Sequence, residues 1–322
     1  MIVLGIEGTA HTFSISIIKN KNILTEKRDM FTTKKGGMIP IEVAKHHDKV
    51  KNKILKQVLK DSKLELKDID VIAFSQGPGL APALLVVRDF AVELSKKYNI
   101  PLIGVNHICA HLEIGKLLTK AKNPIFVFVS GANTQIISHE GDRYRVFGEC
   151  LSIALGNALD KFARGVGLGF PGGPKIEKLA KKGKYIELPY KVKGMDIDFS
   201  GLVTRALQLH EKGEKIEDLC YSLQETMFAM LTEVTERALA HCDKNEVLLI
   251  GGVAANQRLC DMLTLMVNAR KAKFYAAPIE YAGDNATMIA WLGELMYKVK
   301  PNQKDFDIKP RQRIDDVKTF WI

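Results

Sequence analysis

The stretch "NHICAHLE", residues 106–113, sets two histidines four positions apart. On a helix His107 and His111 share one face, and two imidazoles so placed reach one metal ion. A metal that hydrolyses peptides needs a carboxylate beside the first histidine as general base. Ile108 stands there instead. "YAGDNATMIA" (281–290) supplies a carboxylate, Asp284, placed either to cap the following helix or to act as a third ligand. Two imidazoles and a carboxylate leave coordination positions open, as a catalytic or ligand-orienting metal requires. His46 and His47 are adjacent, diverge on a helix, and read as structural or surface residues.

Three small-residue turns follow apolar strands: "EGTA" (7–10), "SGAN" (130–133) and "GGVAAN" (251–256). Such turns let backbone N–H groups approach phosphate oxygens, and a helix N-terminus adds a favourable field. No G-x-x-x-x-G-K-[ST] occurs, and no G-x-G-x-x-G opens a helix after the first strand. Phosphates held between hairpin turns point instead to the fold shared by actin, sugar kinases and Hsp70. "GFPGGPKIEKLAKKG" (169–183) is a further Gly/Pro loop entering a helix, with Pro174 in its first turn. Glu177 either faces a ligand or caps that helix. Asp160, on a helix through "NALDKFAR", is open to pairing with Lys161 or Arg164.

The elements that must position these residues are mixed α/β. "MIVLGIE" and the alternating "TFSISII" read as strands; a polar stretch with Gly36-Gly37 leads to a helix starting at Pro40, with Val43, Val50, Ile54 and Val58 on its inner face. "DIDVIAFS" and "PLIGVNH" are strands separated by a helix ending near Tyr98. Near Asn123 the pattern restarts: "PIFVFVS", a turn, "QIIS", a turn, "RYRVFGEC". This predicts an internal duplication, with one domain over 1–123, a second over 124–322, a cleft between them, and a last helix and tail free to pack back on the first half.

The 322 residues suffice for such a pair of cores. A formal charge of +10 favours a polyanionic partner. Five scattered cysteines without a C-x-x-C pair speak for reduced thiols and a cytoplasmic setting. No apolar run approaches 18 residues, and Ile2–Ile6 is too short for a signal peptide, so no membrane role is expected.

"GIEGTAHT", "FSQGPGLAPAL", "VNHICAHLE", "VSGANTQ", "LDKFARGVGLGFPGGPKIE", "DFSGLVT", "GGVAANQRL" and "GDNATMIA" resemble, in collinear order along the whole chain, the signature blocks of the TsaD/KEOPS threonylcarbamoyltransferase family. The tail "KPRQRIDDVKTFW" resembles its archaeal and eukaryotic branch. The resemblance implies an actin-like α/β fold of two RNase H-like subdomains. It implies an acyltransferase that moves the threonylcarbamoyl group from threonylcarbamoyl-AMP to N6 of adenosine 37 in tRNAs reading codons that begin with A. It also implies KEOPS partners, including a small atypical kinase/ATPase and a small dimerising subunit. The metal, iron or zinc, would lie on His107, His111 and Asp284, with magnesium possible beside a nucleotide. The adenylate would lie along Phe128, Val129, Ser130, Gly131, Ala132 and Asn133, with Asp160, Gly173, Glu177 and Asn256 contacting ribose, base and phosphate. No catalytic base is assigned.

Four positions depart from the family pattern: Phe128 where tyrosine, a possible iron ligand, is usual; Ala132 for a glycine; Ile39 for a histidine; and Ala286 for a glycine. Two rival functions remain at this stage. A metal-dependent (glyco)peptidase is favoured by the histidine pair and opposed by Ile108. An actin-like kinase or ATPase is favoured by the fold alone.

Overall fold

The computed structural model describes residues 1–33 and 38–322, so the Gly36-Gly37 break lies outside the described residues. The chain forms two compact units. The first comprises Met1–Ile114, Asp142–Tyr144 and Asp284–Ile322; the second comprises Gly115–Gly141 and Arg145–Gly283. This division differs from one at residue 123 in that residues 115–123 go with the second unit and 142–144 with the first. The last helix and the tail belong to the first unit, a return that the sequence leaves open.

The chain opens with β1 (Ile2–Glu7), β2 (Thr12–Lys19), β3 (Asn22–Met30), α1 (Pro40–Ser62), β4 (Val71–Gly77), α2 (Ala81–Tyr98), β5 (Leu102–Asn106) and α3 (His107–Thr119). Then come β6 (Ile125–Val129), β7 (Thr134–Glu140), β8 (Arg143–Glu149), α4 (Leu155–Gly165), α5 (Gly173–Ala180) and a short ribbon of β9 (Val192–Lys193) and β10 (Asp196–Ile197). The second unit is completed by α6 (Ser200–Glu211), α7 (Ile216–His241), β11 (Glu246–Ile250), α8 (Gln257–Ala269), β12 (Lys273–Ala276) and α9 (Ile279–Ala282). The chain returns to the first unit with α10 (Ala286–Val299).

The expected duplication is a repeat of topology. One sheet runs β3-β2-β1-β4-β5 and the other β8-β7-β6-β11-β12. In the first, β1, β2 and β3 are antiparallel neighbours, while β4 lies parallel to β1 and β5 parallel to β4. In the second, β7 is antiparallel to β6, and β11 and β12 continue in parallel. Parallel pairing in register (Ile6 opposite Phe74, Gly77 opposite Asn106) brings the carboxyl ends of β1, β4 and β5 to one edge of the sheet. Open α/β sheets carry their sites at that edge.

Burial explains the strand assignments. Val3, Leu4 and Ile6 of β1 are fully buried on both faces of the sheet, and such side chains contribute about 1.5–3 kcal/mol each. α10 covers the sheet so closely that a Cβ at Gly5 would lie 2.3 Å from the Ala286 carbonyl oxygen. α1 starts at Pro40 and buries Val43, Val50, Ile54 and Val58, as the spacing predicts. The tail is tied to the same sheet: Gln76 Nε2 donates to the carbonyls of Asp305 (3.0 Å) and Asp307 (2.7 Å), and Lys309 N–H donates to the Gln76 carbonyl (2.8 Å). Among the described residues no helix is long and apolar enough to cross a membrane.

Candidate functional site

β5 ends at Asn106, and the chain turns directly into α3. The Asn106 side chain makes this abrupt turn possible. Its Oδ1 accepts from Ile108 N–H and Cys109 N–H, both at 3.0 Å, which satisfies two of the orphan donors of the first helical turn. Asn106 Nδ2 in turn donates to Gln312 Oε1 of the tail (3.1 Å). His107 and His111 then project one turn apart, with ring centroids 4.7 Å from each other.

Asp284 meets them. Its Oδ1 lies 3.3 Å from His111 Nε2 and 3.5 Å from His107 Nε2. One ligand atom from each residue fits within 4.8 Å of the others. The helix-capping alternative for Asp284 is corrected: the N-cap of α10 is Asn285, whose Oδ1 accepts from Met288 N–H (3.0 Å). Capping by the neighbour leaves Asp284 to the histidines.

Behind His107 stands Glu7, fully buried at the end of β1. Glu7 Oε2 lies 3.1 Å from His107 Nδ1, and Glu7 Oε1 accepts from Thr9 N–H (2.7 Å) and Thr9 Oγ1–H (2.6 Å). A carboxylate on the far nitrogen of an imidazole fixes its tautomer and aims the near nitrogen at a metal. Burial is the largest influence on His107 and disfavours a charged ring. Glu7 and then Asp284 outweigh it and raise the group to about 9. Burial holds His111 below the ordinary imidazole value. Burial also disfavours ionised Asp284, but His111 and His107 hold its carboxyl below the usual range. The set fits a metal: two Nε2 atoms and a carboxylate oxygen converge, and the outer nitrogen of one ring is already tied down.

These bonds narrow one expectation. Two amides of the "EGTA" turn are taken within the chain: Gly8 N–H donates to Ser75 Oγ (3.3 Å) and Thr9 N–H to Glu7. His46 and His47 are structural, as expected. His46 Nε2 lies 2.8 Å from Asp29 Oδ1, and His47 Nε2–H donates to the Ala10 carbonyl (2.9 Å).

α3 has a second anchor. Glu113, 3 % exposed, accepts at Oε1 from Tyr144 Oη–H (2.6 Å) and Trp321 Nε1–H (3.0 Å), and its carbonyl accepts from Trp291 Nε1–H (3.2 Å). Buried carboxylates are stable only when so satisfied.

In the second unit a pocket of about 240 Å³ is lined by glycines, apolar and polar residues, among them Gly131, Asp160, Gly173, Glu177 and Asn256. The structure thus gathers five of the ten residues expected along an adenylate. Ser130, Ala132 and Asn133 lie in the adjoining turn, where Ser130 N–H donates to the Asn133 carbonyl (2.8 Å). Gly131 and Ala132 are exposed, and their amides donate to nothing among the described residues. The side chains of Phe128 and Val129 are buried in β6 and do not line the pocket.

The polar walls are held by the backbone of neighbouring turns. Asp160 Oδ1 accepts from Gly172 N–H (2.7 Å), so it braces the glycine loop rather than pairing with Lys161 or Arg164. Glu177 sits in the fifth position of α5 and does not cap that helix. Its Oε1 accepts from Gln257 N–H (3.0 Å) at the start of α8. Asn256 caps α8 through Leu259 N–H (3.2 Å) and donates to Gln224 Oε1 (3.1 Å). Gly251, at φ +104°, brings this turn against β6, where a Cβ would lie 2.2 Å from the Val129 carbonyl oxygen. Sequence reasoning named neither Glu7's role nor Phe170 and Pro171, which also line the pocket. The quoted "GFPGGP" carried the signal for the last two.

Two five-stranded sheets of one topology, with a metal-ligand set at a strand edge and a glycine-lined pocket in the second repeat, define an α/β protein of the actin-like class. A solved activator of 2-hydroxyisocaproyl-CoA dehydratase from Clostridium difficile, with bound ADPNP, shares this fold at TM-score 0.54 and 12% identity, over 94% of this chain and 100% of that one. The family model "TsaD: tRNA N6-adenosine threonylcarbamoyltransferase" matches residues 21–291, and the chain belongs to that family. A Thermococcus sibiricus protein named tRNA N6-adenosine threonylcarbamoyltransferase is 53% identical over 100% of both chains. A Methanosarcina mazei protein, named probable bifunctional tRNA threonylcarbamoyladenosine biosynthesis protein, is 53% identical over 99% of this chain and 59% of its own length. The chain is thus a transferase of tRNA modification.

Proposed function

We propose that the chain transfers the threonylcarbamoyl group from threonylcarbamoyl-AMP to N6 of adenosine 37 in tRNAs reading codons that begin with A. In this reaction a bond forms between N6 and the carbamoyl carbon, the bond from that carbon to the phosphate oxygen breaks, N6 loses a proton, and AMP leaves. AMP is a good leaving group, so the chain needs no strong general acid. The resemblance of the signature blocks and the family membership support this reading.

The observation that carries it is the state of the carboxylates around the histidines. Ile108 occupies the position of a peptidase base. Glu7 is committed to Thr9 and His107, and Glu113 to Tyr144 and Trp321. Neither is poised to activate water, which speaks against the peptidase reading and for transfer. His107, His111 and Asp284 would hold iron or zinc, both of which accept two imidazoles and a carboxylate. A bound metal would supply Lewis-acid stabilisation of negative charge on the donor's oxygens. Glu7 keeps His107 oriented, and Asn106 fixes the helix start that presents both rings.

The nucleotide part of the donor falls to the second unit. Gly131 and Ala132 offer backbone donors for phosphate oxygens, with magnesium possible there. Asp160 and Glu177 each commit one oxygen to backbone, which leaves the other to accept from ribose or base. The ADPNP-bound neighbour shares the fold, which supports a nucleotide in this class. The enzyme works in the cytoplasm within a KEOPS-type assembly that includes a small atypical kinase/ATPase and a small dimerising subunit. The bifunctional name of the Methanosarcina relative, longer than this chain, supports a partner activity beside it.

The test is chemical. Purified chain, with and without such partners, is incubated with synthetic threonylcarbamoyl-AMP and tRNA. Modified nucleoside at position 37 and stoichiometric AMP are expected. AMP release without modified nucleoside, or a cleaved glycoprotein substrate in its place, would refute the assignment.

A further inference from the structure

Phe170 is 73 % exposed, more than any other large apolar side chain among the described residues. Exposed apolar residues are common and by themselves mean little. Phe170 differs because its surroundings are ordered and its ring has a place to act.

The loop between α4 and α5 is tied on both sides of it. Leu168 N–H donates to the Ala163 carbonyl (2.8 Å), and Lys175 Nζ donates to the Leu168 carbonyl (2.6 Å). Gly172 N–H donates to Asp160 Oδ1 (2.7 Å). Gly172 is also pressed onto α4, where a Cβ would lie 2.5 Å from the Ala163 Cβ. The backbone that carries Phe170 is therefore fixed, while its ring stays out of the core.

Phe170 lines the pocket of about 240 Å³ with Pro171, Gly131 and Gly156, and it is the one aromatic residue in the lining. Sites that bury a whole drug-sized ligand run to roughly 300–1,000 Å³. This pocket is smaller than that, so a flat base bound there would leave part of its face at the rim. An aromatic ring held in advance on an ordered loop covers such a face at little ordering cost.

We propose that Phe170 is a stacking platform for a purine base at this pocket. The inference rests on the transferase reading, which supplies two adenines: that of the donor adenylate and that of the acceptor tRNA. Stacking of a base on an aromatic side chain typically makes a difference of about 5- to 150-fold in affinity when the ring is truncated.

The experiment measures AMP affinity by calorimetry and the affinity of an anticodon-arm RNA hairpin by fluorescence anisotropy. Wild type, Phe170→Ala, Phe170→Leu and Phe170→Trp are compared, with melting temperatures to confirm folding. About tenfold weaker binding is expected for Phe170→Ala and Phe170→Leu, and near wild-type binding for Phe170→Trp. A loss confined to AMP assigns the base to the donor; a loss confined to RNA assigns it to the acceptor. Unchanged affinity of Phe170→Ala for both would overturn the proposal, and so would Phe170→Leu binding like wild type, since any apolar side chain would then serve. These are binding measurements on folded protein. Failure of the transfer chemistry would instead appear as absent modified nucleoside with wild-type enzyme.

Discussion

The turns after β1 and β6 hold the same place in the two repeated sheets, yet they use their amides differently. After β1, Gly8 and Thr9 donate inward to Ser75 and Glu7. After β6, Gly131 and Ala132 stay exposed and donate to nothing among the described residues. The strand ends explain the contrast. β1 closes on Glu7, whose carboxylate draws the Thr9 amide and hydroxyl to itself and braces His107. β6 closes on Val129, which packs in the core and competes for no donor. One repeat spends its turn on orienting a ligand side chain, and the other leaves its turn for a ligand's own oxygens. A buried carboxylate fixes the first arrangement; in the second, Ser130 and Asn133 close the turn on each other and leave the two amides between them exposed.

Breaking the side-chain arrangement should have the largest effect. His111→Ala removes one of three ligand groups. We expect loss of bound metal and at least about 100-fold lower transfer, because a metal's charge stabilisation is worth several kcal/mol. AMP affinity in the second unit should stay at the wild-type value. Metal analysis paired with calorimetry checks both halves, and a joint loss of metal and AMP binding would show that the two arrangements are not independent. Chelation of the wild-type protein should reproduce the same split.

Glu7→Gln should come next. It keeps size and hydrogen bonding but removes the charge behind His107. Metal affinity should fall about 10–100-fold, the usual cost of altering the group behind a metal-bound histidine. Titration with zinc reads this directly, and an unchanged affinity would reduce Glu7 to a turn-former.

Asn106→Ala tests how far the brace depends on the helix start. Two amides lose their acceptor, so stability should drop by about 1 kcal/mol, seen as a melting shift of about 2–4 °C. On the other side of the comparison, Glu177→Ala should weaken AMP binding by about 2- to 12-fold, the loss of one hydrogen bond worth about 0.5–1.5 kcal/mol. It should leave metal content alone.

The smallest expected effect is at Asp198. Hydrogen bonds from Ser152 and Ser200, and then Lys191, hold its carboxyl well below the usual range. A depressed carboxyl stabilises the fold at neutral pH, and that contribution is lost as pH falls below the unfolded-state value and through the folded one. The group is solvent-screened, so Asp198→Asn should cost no more than about 1 kcal/mol at pH 7. The difference from wild type should vanish in acid-unfolding curves at low pH.

Much of this was legible in the sequence. The histidine spacing, the helix start at Pro40 and the restart near Asn123 each rest on local periodicity, and the structure has them. Glu7's role was not legible because it depends on sheet order. β1, β4 and β5 run parallel, so residues 7 and 107 meet at one edge although a hundred positions separate them in the chain. Asp284 was read as either a ligand or a cap; the structure brings it to the two histidines, and the cap role went to Asn285, a shift of one residue that pattern alone does not resolve. Glu177 was left open between a ligand and its own helix; it lines the pocket and one of its oxygens holds the start of α8, a contact distant in sequence. The unit boundary near 114 was missed because α3 runs through it without a turn signal.

The most direct test is mass spectrometry of nucleosides from tRNA incubated with synthetic threonylcarbamoyl-AMP and either wild-type protein or Asp284→Asn. The account predicts N6-threonylcarbamoyladenosine with wild type, and at least about 100-fold less with the variant at equal folding and equal AMP affinity. Equal product from both proteins would contradict it, because the convergence of His107, His111 and Asp284 would then have no part in the transfer.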